Sequence, residues 1–306
     1  MRAALTTLTD ELRRLQAAGV KRVTVADETL VALRAALGRR PGAAPRPAPA
    51  AASRLAPAAA APAAVPPPAP ASAAAPAKAK SALPPPPKVV LPEGDKAKRW
   101  AALLDLVLND PVCKASVRPG KKVVLGVGSL EAKIFFAGEA PGAEEEVQGE
   151  PFVGPAGQLL NRMIAGMGLQ RSDVYIGNIM NWRPQLPVES GGVQVGNRPP
   201  TAEELGYCLP YLLAQLEIVQ PEIVVALGAT AAQGLLGPGT FKALGEVRGR
   251  WKEFAGRPLM VTYHPSYILR NPTNRSKRLI WEDLLQVMER AGMAVSAKQR
   301  SYFLER

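Results

Sequence analysis

The sequence is poor in the residues that most often carry metal and redox chemistry. It has two cysteines, Cys113 and Cys208, and one histidine, His264. Two thiols cannot build a disulfide framework or complete a four-ligand metal site by themselves. A single imidazole excludes any centre that needs two. Aromatic residues make up only 5% of the 306 residues. No apolar run approaches the roughly 20 residues of a membrane span. The opening MRAALTTLTDELRRLQ mixes charges into its apolar positions, so it lacks the uninterrupted apolar stretch of a secretory signal. The chain is therefore read as soluble and cytoplasmic, with no membrane partner.

What is present is unevenly distributed. Apolar residues reach 47%, enough to bury a core, which excludes disorder throughout. Of 31 prolines, 15 lie between residues 41 and 90. That stretch has almost no large apolar side chains to offset the entropy of ordering its backbone, and its prolines interrupt any helix in the alanine runs. Residues 41–92 are thus expected to be a Pro/Ala-rich, basic, disordered linker. Residues 1–92 hold 13 basic and 4 acidic side chains, +9 of the chain's net +12, leaving +3 for the rest. Such a tail attracts polyanions, nucleic acid first among them. A solubilising spacer with no partner fits equally well. Ahead of the linker, Leu5, Leu8, Leu12 and Leu15 recur at helical spacing, KRVTV reads as a short strand, and Asp27 opens DETLVALRAAL as a capped helix. Residues 1–40 are expected to be a small, weakly structured helical segment.

From residue 93 the pattern changes. Strand-length apolar runs fall at Ile134–Ala137, Val174–Ile176, Ile223–Leu227 and Leu259–Tyr263. Helical stripes lie between and after them: Leu159, Leu160, Met163, Ile164 and Met167; then Thr201 through Leu213, Leu216 and Val219; then Lys277 through Leu284 to Met288. Thr201-Ala-Glu-Glu reads as a capping box. This alternation predicts an α/β domain over residues 93–306, three-layered α/β/α around a central, mostly parallel four-stranded sheet. In such sheets ligands bind beyond the C-terminal ends of the strands.

The informative residues do follow the strands. After the first run comes Gly138-Glu139-Ala140-Pro141-Gly142, then Pro151-Phe152-Val153-Gly154-Pro155-Ala156-Gly157. Tandem glycine-rich loops bring backbone N–H groups close to an anion or carbonyl, although a pentapeptide of this kind alone commonly marks a tight turn. After the second run stands Asn178, whose planar amide can read a base edge or close an Asx turn. After the fourth come His264-Pro265-Ser266 and then Tyr267-Ile268-Leu269-Arg270. A lone histidine is more often structural than catalytic; one set beside proline and a basic residue in a post-strand loop is a stronger candidate.

Taken in order, GEAPG…EEE…GEPFVGPAGQLL, VYIGNIMNWRP, GNRPPTAEELGYCLPYLLAQL, IVVALG and YHPSYILR resemble the family 4 uracil-DNA glycosylases over roughly residues 97–292. The resemblance implies a monofunctional hydrolase that cleaves the glycosidic bond of a uracil flipped out of DNA and so opens base-excision repair. On that reading Phe152 stacks on the base, and Asn178 pairs with its O4 and N3–H, with Ala140 beside them in the substrate pocket. Cytosine's opposite donor pattern would leave buried groups unpaired and be rejected. His264 donates to O2 as charge develops on the leaving base. Glu139 and Glu145 match the family's motif carboxylates, and one of them handles the water and the cation-like sugar. The choice between them stays open. Ser266 and Arg270 hold the DNA backbone, with Ile268 or Leu269 as a wedge. The implied partner is uracil-containing DNA, bound by a monomer in the cytoplasm at the nucleoid.

One departure concerns the cofactor. The family carries a [4Fe–4S] cluster on four cysteines, and the matching positions here are Asp110, Cys113, Trp182 and Cys208. Tryptophan cannot ligate iron. The expectation is a chain without the cluster, the packing of Trp182, with or without the inserted QLPVESGGVQV (185–195), filling its place. An alternative on the same fold is a non-catalytic protein that binds uracil or DNA; the joint presence of Glu139, Phe152, Asn178 and His264 argues against it. A relative that traps itself on DNA through a loop histidine is also disfavoured, because Val247-Arg-Gly-Arg-Trp251 contains none.

Overall fold

In a computed structural model of the chain, the structure describes residues 83–187 and 194–304. The expected N-terminal helices, the KRVTV strand and the linker up to residue 82 lie outside the described residues. Six strands form the sheet: β1 (Val127–Gly128), β2 (Ile134–Gly138), β3 (Tyr175–Asn178), β4 (Ile223–Leu227), β5 (Trp251–Phe254) and β6 (Arg257–Thr262). Their order is β1-β3-β2-β4-β6-β5, with β3, β2, β4 and β6 parallel. The expected four parallel strands are thus the centre of a wider mixed sheet, whose antiparallel edges the sequence reading did not include. The reason is physical. At two residues, β1 is too short to show any alternation, and β5 exposes Lys252 and Glu253 while a turn at Ala255 and Gly256, both at positive φ, folds it back on β6.

Successive strand residues point to opposite faces, so each strand feeds two cores. Phe136, Ile176, Val225 and Met260 face α4 (Pro155–Gly166) and α8 (Asn274–Arg290), packing with Leu160, Ile164, Trp281 and Leu284. Phe135, Tyr175, Val224 and Val261 face the other way, toward Leu212 and Leu216 of α5 (Ala202–Val219) and Ala231 and Leu235 of α6 (Ala229–Leu236). Each fully buried Leu, Ile or Phe contributes about 1.5–3 kcal/mol relative to exposure. The Thr201 capping box forms: its hydroxyl accepts from the Glu204 N–H, and the Glu204 carboxylate accepts from the Thr201 N–H.

A third cluster lies beside the sheet. α1 (Lys96–Asn109) and α2 (Pro111–Ser116) contribute Leu103, Val107 and Cys113, and α5 contributes Tyr207, Cys208 and Tyr211 around Trp182. Leu83, Val89 and Leu91 lie against this cluster, so the last residues of the expected linker pack on the domain. Among the described residues no helix is long and apolar enough to cross a membrane. The layers bring the C-terminal ends of β2, β3 and β6 to one edge, where the candidate residues gather.

Candidate active site

Ala140, Glu145, Phe152, Asn178, His264, Ser266 and Arg270 line one cavity of about 330 Å³. Most of the sequence-predicted residues are therefore brought together, although they span 131 positions of chain. The register of the sheet starts this convergence, because Gly138 of β2 pairs with Asn178 of β3. Gly138 must lack a side chain: a Cβ there would stand 2.3 Å from Asn178 Oδ1 and 2.5 Å from Phe152 Cζ. Phe152 itself adopts φ 54°. Its backbone packs under Gly157, where a Cβ would fall 1.8 Å from the Phe152 carbonyl oxygen. A bulky residue at positive φ costs of order 1–3 kcal/mol and persists only where its surroundings enforce it.

The two carboxylates separate in space. Glu145, at the start of α3 (Glu145–Gln148), is in the cavity wall. Its Oε2 accepts from the Gly142 N–H at 3.0 Å, and its Oε1 accepts from the N–H groups of Val153 at 3.0 Å and Gly154 at 2.9 Å. One side chain thus ties the two glycine-rich loops together. Glu139 is outside the cavity lining; burial pushes its carboxyl up, against a hydrogen bond with Thr230 of α6.

Asn178 is buried, and its Nδ2 has no hydrogen-bond partner in the protein. An unpaired buried donor costs about 1–3 kcal/mol, so one carried by a residue that lines a cavity suits a ligand acceptor. His264 stands two residues after the end of β6. Its Nδ1 lies 2.8 Å from the Ser266 hydroxyl and accepts from the Ser266 backbone N–H at 3.2 Å. With Nδ1 accepting, the neutral ring carries its proton on Nε2, as a donor. Burial, and secondarily the Arg270 charge, push the imidazole down to about 4, with Glu145 opposing. Its ring is 5.6 Å from that of Phe152. Arg270 Nη1 donates to the Ser266 hydroxyl at 3.1 Å.

In α7 (Ser266–Arg270), Leu269 is 45% exposed and Ile268 only 7%; Ile268 belongs to the core, so of the two expected wedges only Leu269 faces solvent. Sequence reading left Asn197 without a role, yet it lines the cavity. It is held there by Arg183, whose Nε donates to Asn197 Oδ1 at 2.8 Å and whose Nη1 pairs with buried Glu146 at 2.9 Å. The signal was the GNR block, but its contact with the cavity depends on the loop after β3, which no local pattern reveals.

The four cluster positions lie together in the third core. Cys113 and Cys208 are both fully buried, and Trp182 is 2% exposed with its ring 6.2 Å from that of Tyr207. Asp110 Oδ1 caps α2 by accepting from the Cys113 N–H at 2.7 Å, while Oδ2 accepts from the hydroxyls of Tyr207 at 2.8 Å and Tyr211 at 2.9 Å. Burial works to raise the Asp110 carboxyl, but these donors outweigh it and hold the group below its usual range. Burial pushes both thiols up, favouring the protonated form that does not ligate metal. Among the described residues no three His, Cys, Asp or Glu side chains are grouped to hold a metal ion. These residues do not fit an iron–sulfur cluster: one of the four positions is an indole and another a carboxylate already satisfied by two phenols.

Residues 125–285 match the family described as the uracil DNA glycosylase superfamily. The chain is 42% identical over 163 residues to the type-4 uracil-DNA glycosylase of Thermotoga maritima, covering 53% of this chain and 79% of that protein. It is 42% identical over 160 residues to the type-4 enzyme of Archaeoglobus fulgidus, covering 50% and 75%. It is 39% identical over 165 residues to that of Pyrobaculum aerophilum, covering 51% and 78%. A match of this extent, falling on the sheet and on every loop that builds the cavity, means that the chain belongs to the uracil-DNA glycosylase superfamily, on its type-4 branch.

Proposed function

We propose that the protein is a uracil-DNA glycosylase, hydrolysing the bond between uracil and deoxyribose in DNA at the start of base-excision repair. The observation that carries this reading is the unpaired Nδ2 of Asn178 on the wall of a cavity that also holds Phe152 and a histidine donating from Nε2. Uracil supplies what each lacks: O4 accepts from the Asn178 amide, N3–H donates to its oxygen, and O2 accepts from His264. Stacking on Phe152 contributes on the order of 1–3 kcal/mol. As the glycosidic bond breaks, negative charge moves onto the base and positive charge onto the sugar. His264 stabilises the first. Glu145, in the cavity wall, stabilises the second. Arg270 and Ser266 hold the neighbouring phosphates, and Leu269 fills the stack.

A labelled oligonucleotide with one uracil, treated with alkali after incubation, tests this. Strand scission at the uracil is expected, and binding without scission would favour the non-catalytic alternative instead. In the same assay Glu145→Ala is expected to cost about 10²-fold or more, since it removes both a charge and the tie between two loops. Glu139→Gln is expected to cost less. The reverse ranking would transfer the catalytic role to Glu139.

We further propose that the enzyme works without an iron–sulfur cluster. Trp182 at one of the four positions and the Asp110–Tyr207–Tyr211 hydrogen bonds at another, in a core against which Leu83, Val89 and Leu91 pack, support this. Protein purified anaerobically from iron-replete cells is expected to be colourless, with iron far below one atom per chain. Absorbance near about 400 nm with stoichiometric iron would reverse the conclusion. Asp110→Ala strands two buried hydroxyls and is expected to cost about 2–4 kcal/mol in thermal or urea unfolding.

A further inference from the structure

The Arg-rich segment before β5 has no place in the reaction just described, and neither does the most buried carboxylate of α8. The structure joins them directly behind the histidine loop. Asp283 is 1% exposed. Its Oδ2 accepts from the hydroxyl of Thr262, the last residue of β6, at 2.5 Å. Its two oxygens accept from Arg248 Nη1 at 2.8 and 2.9 Å, and the same Nη1 donates to the Leu279 carbonyl at 2.6 Å. The backbone approaches closely here because Gly249 stands at φ +68°, where a Cβ would lie 2.9 Å from Asp283 Oδ1.

The network continues to both sides of His264. The Arg248 guanidinium carbon sits 5.5 Å from the centre of the Tyr263 ring. Tyr263 in turn stacks on Tyr267, with centroids 4.2 Å apart and planes within 12°. Tyr263 immediately precedes His264. Tyr267 follows Ser266, whose N–H and hydroxyl set the histidine tautomer. The Tyr267 N–H also donates to the His264 carbonyl at 2.8 Å. The three-residue turn His264-Pro265-Ser266 is thus pinched at its base by two stacked rings, with a cation against one of them and a carboxylate holding the cation.

We propose that Asp283, Arg248, Tyr263 and Tyr267 form a clamp that positions His264 for its contact with the leaving base. All four are positioning residues; none lines the uracil cavity. The inference rests on the glycosylase reading but predicts an observable independent of it. The charged groups facing Asp283 are Arg248 from the preceding loop and Glu282 on its own helix, while β6 presents only the Thr262 hydroxyl. Burial pushes the Asp283 carboxyl up to about 6 despite Arg248 and Thr262. A carboxyl with a folded pKa above its unfolded value contributes least to stability when ionised, above about pH 6. Holding an ionised aspartate here at neutral pH therefore does little for stability. A group retained to orient its neighbours fits that pattern.

Because His264 is the only histidine in the chain, its imidazole proton signals can be followed by NMR without ambiguity. Wild-type protein is expected to titrate near the low value that the enclosed site imposes. Tyr267→Leu keeps apolar bulk but removes the stack, and is expected to move the titration upward, toward that of an open imidazole. The single-turnover uracil-release rate should fall about 10-fold, the scale of a small misplacement, with affinity for abasic DNA within about 2-fold of wild type. Asp283→Asn should act in the same direction, and Tyr267→Phe, which keeps the ring, should behave as wild type. If Tyr267→Leu leaves both titration and rate unchanged, or if Tyr267→Phe is as impaired as Tyr267→Leu, the clamp is wrong. If wild type releases no uracil yet the titration shifts as described, the clamp stands and the activity reading fails.

Discussion

Replacing His264 by alanine is expected to lower single-turnover uracil release by roughly 10²–10³-fold, the scale for removing one preorganised donor to a developing oxyanion. The argument starts from the tautomer. The Ser266 N–H occupies Nδ1, so the neutral ring has one proton and it sits on Nε2. The low pKa, about 4, then means that the ring stays neutral throughout the working range. A neutral donor strengthens its hydrogen bond as charge moves onto O2, and it does not carry a full positive charge into the ground state. Two consequences can be measured. The rate should show no inflection from this histidine between about pH 5 and 8, the region where an unperturbed imidazole titrates. Stability should respond to the same group, because the unfolded chain binds this proton more readily than the folded one. That contribution is present above about pH 6.5 and is lost as pH falls toward 4. Affinity for an abasic product, which has no O2, should change little. An unchanged excision rate in the alanine variant would remove His264 from leaving-group stabilisation.

Parts of this architecture are legible in the sequence because they are local. Four apolar runs announce the parallel strands, and Thr201 with Glu204 announces a helix start. Other parts depend on groups far apart in the chain. Glu145 reads locally as one acid in a run of three, and nothing nearby shows that its oxygens gather N–H groups from loops eight and nine residues on. Likewise, the PPPPKVVLP stretch reads as spacer because its few apolar residues have no periodicity. They find a surface only once α1, α2 and α5 have built one. In the sequence Arg248 stands out only for the lack of a histidine beside it, whereas its ion-pair partner is Asp283, 35 residues later. Edge strands β1 and β5 escape notice for the opposite reason, being too short or too polar to carry a pattern. Composition and period report burial; they are silent about which buried groups meet.

Gly138→Ala is expected to abolish uracil excision, by about 10³-fold or more, in a protein that still folds. The position is the end of β2, directly beside Asn178 in the parallel register, and its φ is not of the left-handed kind that demands glycine. Space alone is at issue. A methyl group there would meet Asn178 Oδ1 at 2.3 Å and the Phe152 ring at 2.5 and 2.6 Å. Both neighbours are held: Asn178 lies within a strand, and Phe152 is fixed at φ 54° above Gly157. Neither can yield without moving the amide proposed to read the base or the ring proposed to stack on it. The cost to stability should be that of modest overpacking, about 1–3 kcal/mol. The cost to function should be far larger, because the methyl group takes the volume in which the edge and face of the base are recognised together. Gly206→Ala is the matched control, since a Cβ there meets nothing within 4 Å and the position is inside α5. It should keep full activity and be slightly more stable, by about 0.4–1 kcal/mol. Circular dichroism and thermal unfolding of the Gly138→Ala protein establish that it is folded, and binding of a uracil-containing oligonucleotide measures what is lost. Near-normal excision by that variant would mean that uracil is not read between Asn178 and Phe152, and the assignment of the cavity would fall with it.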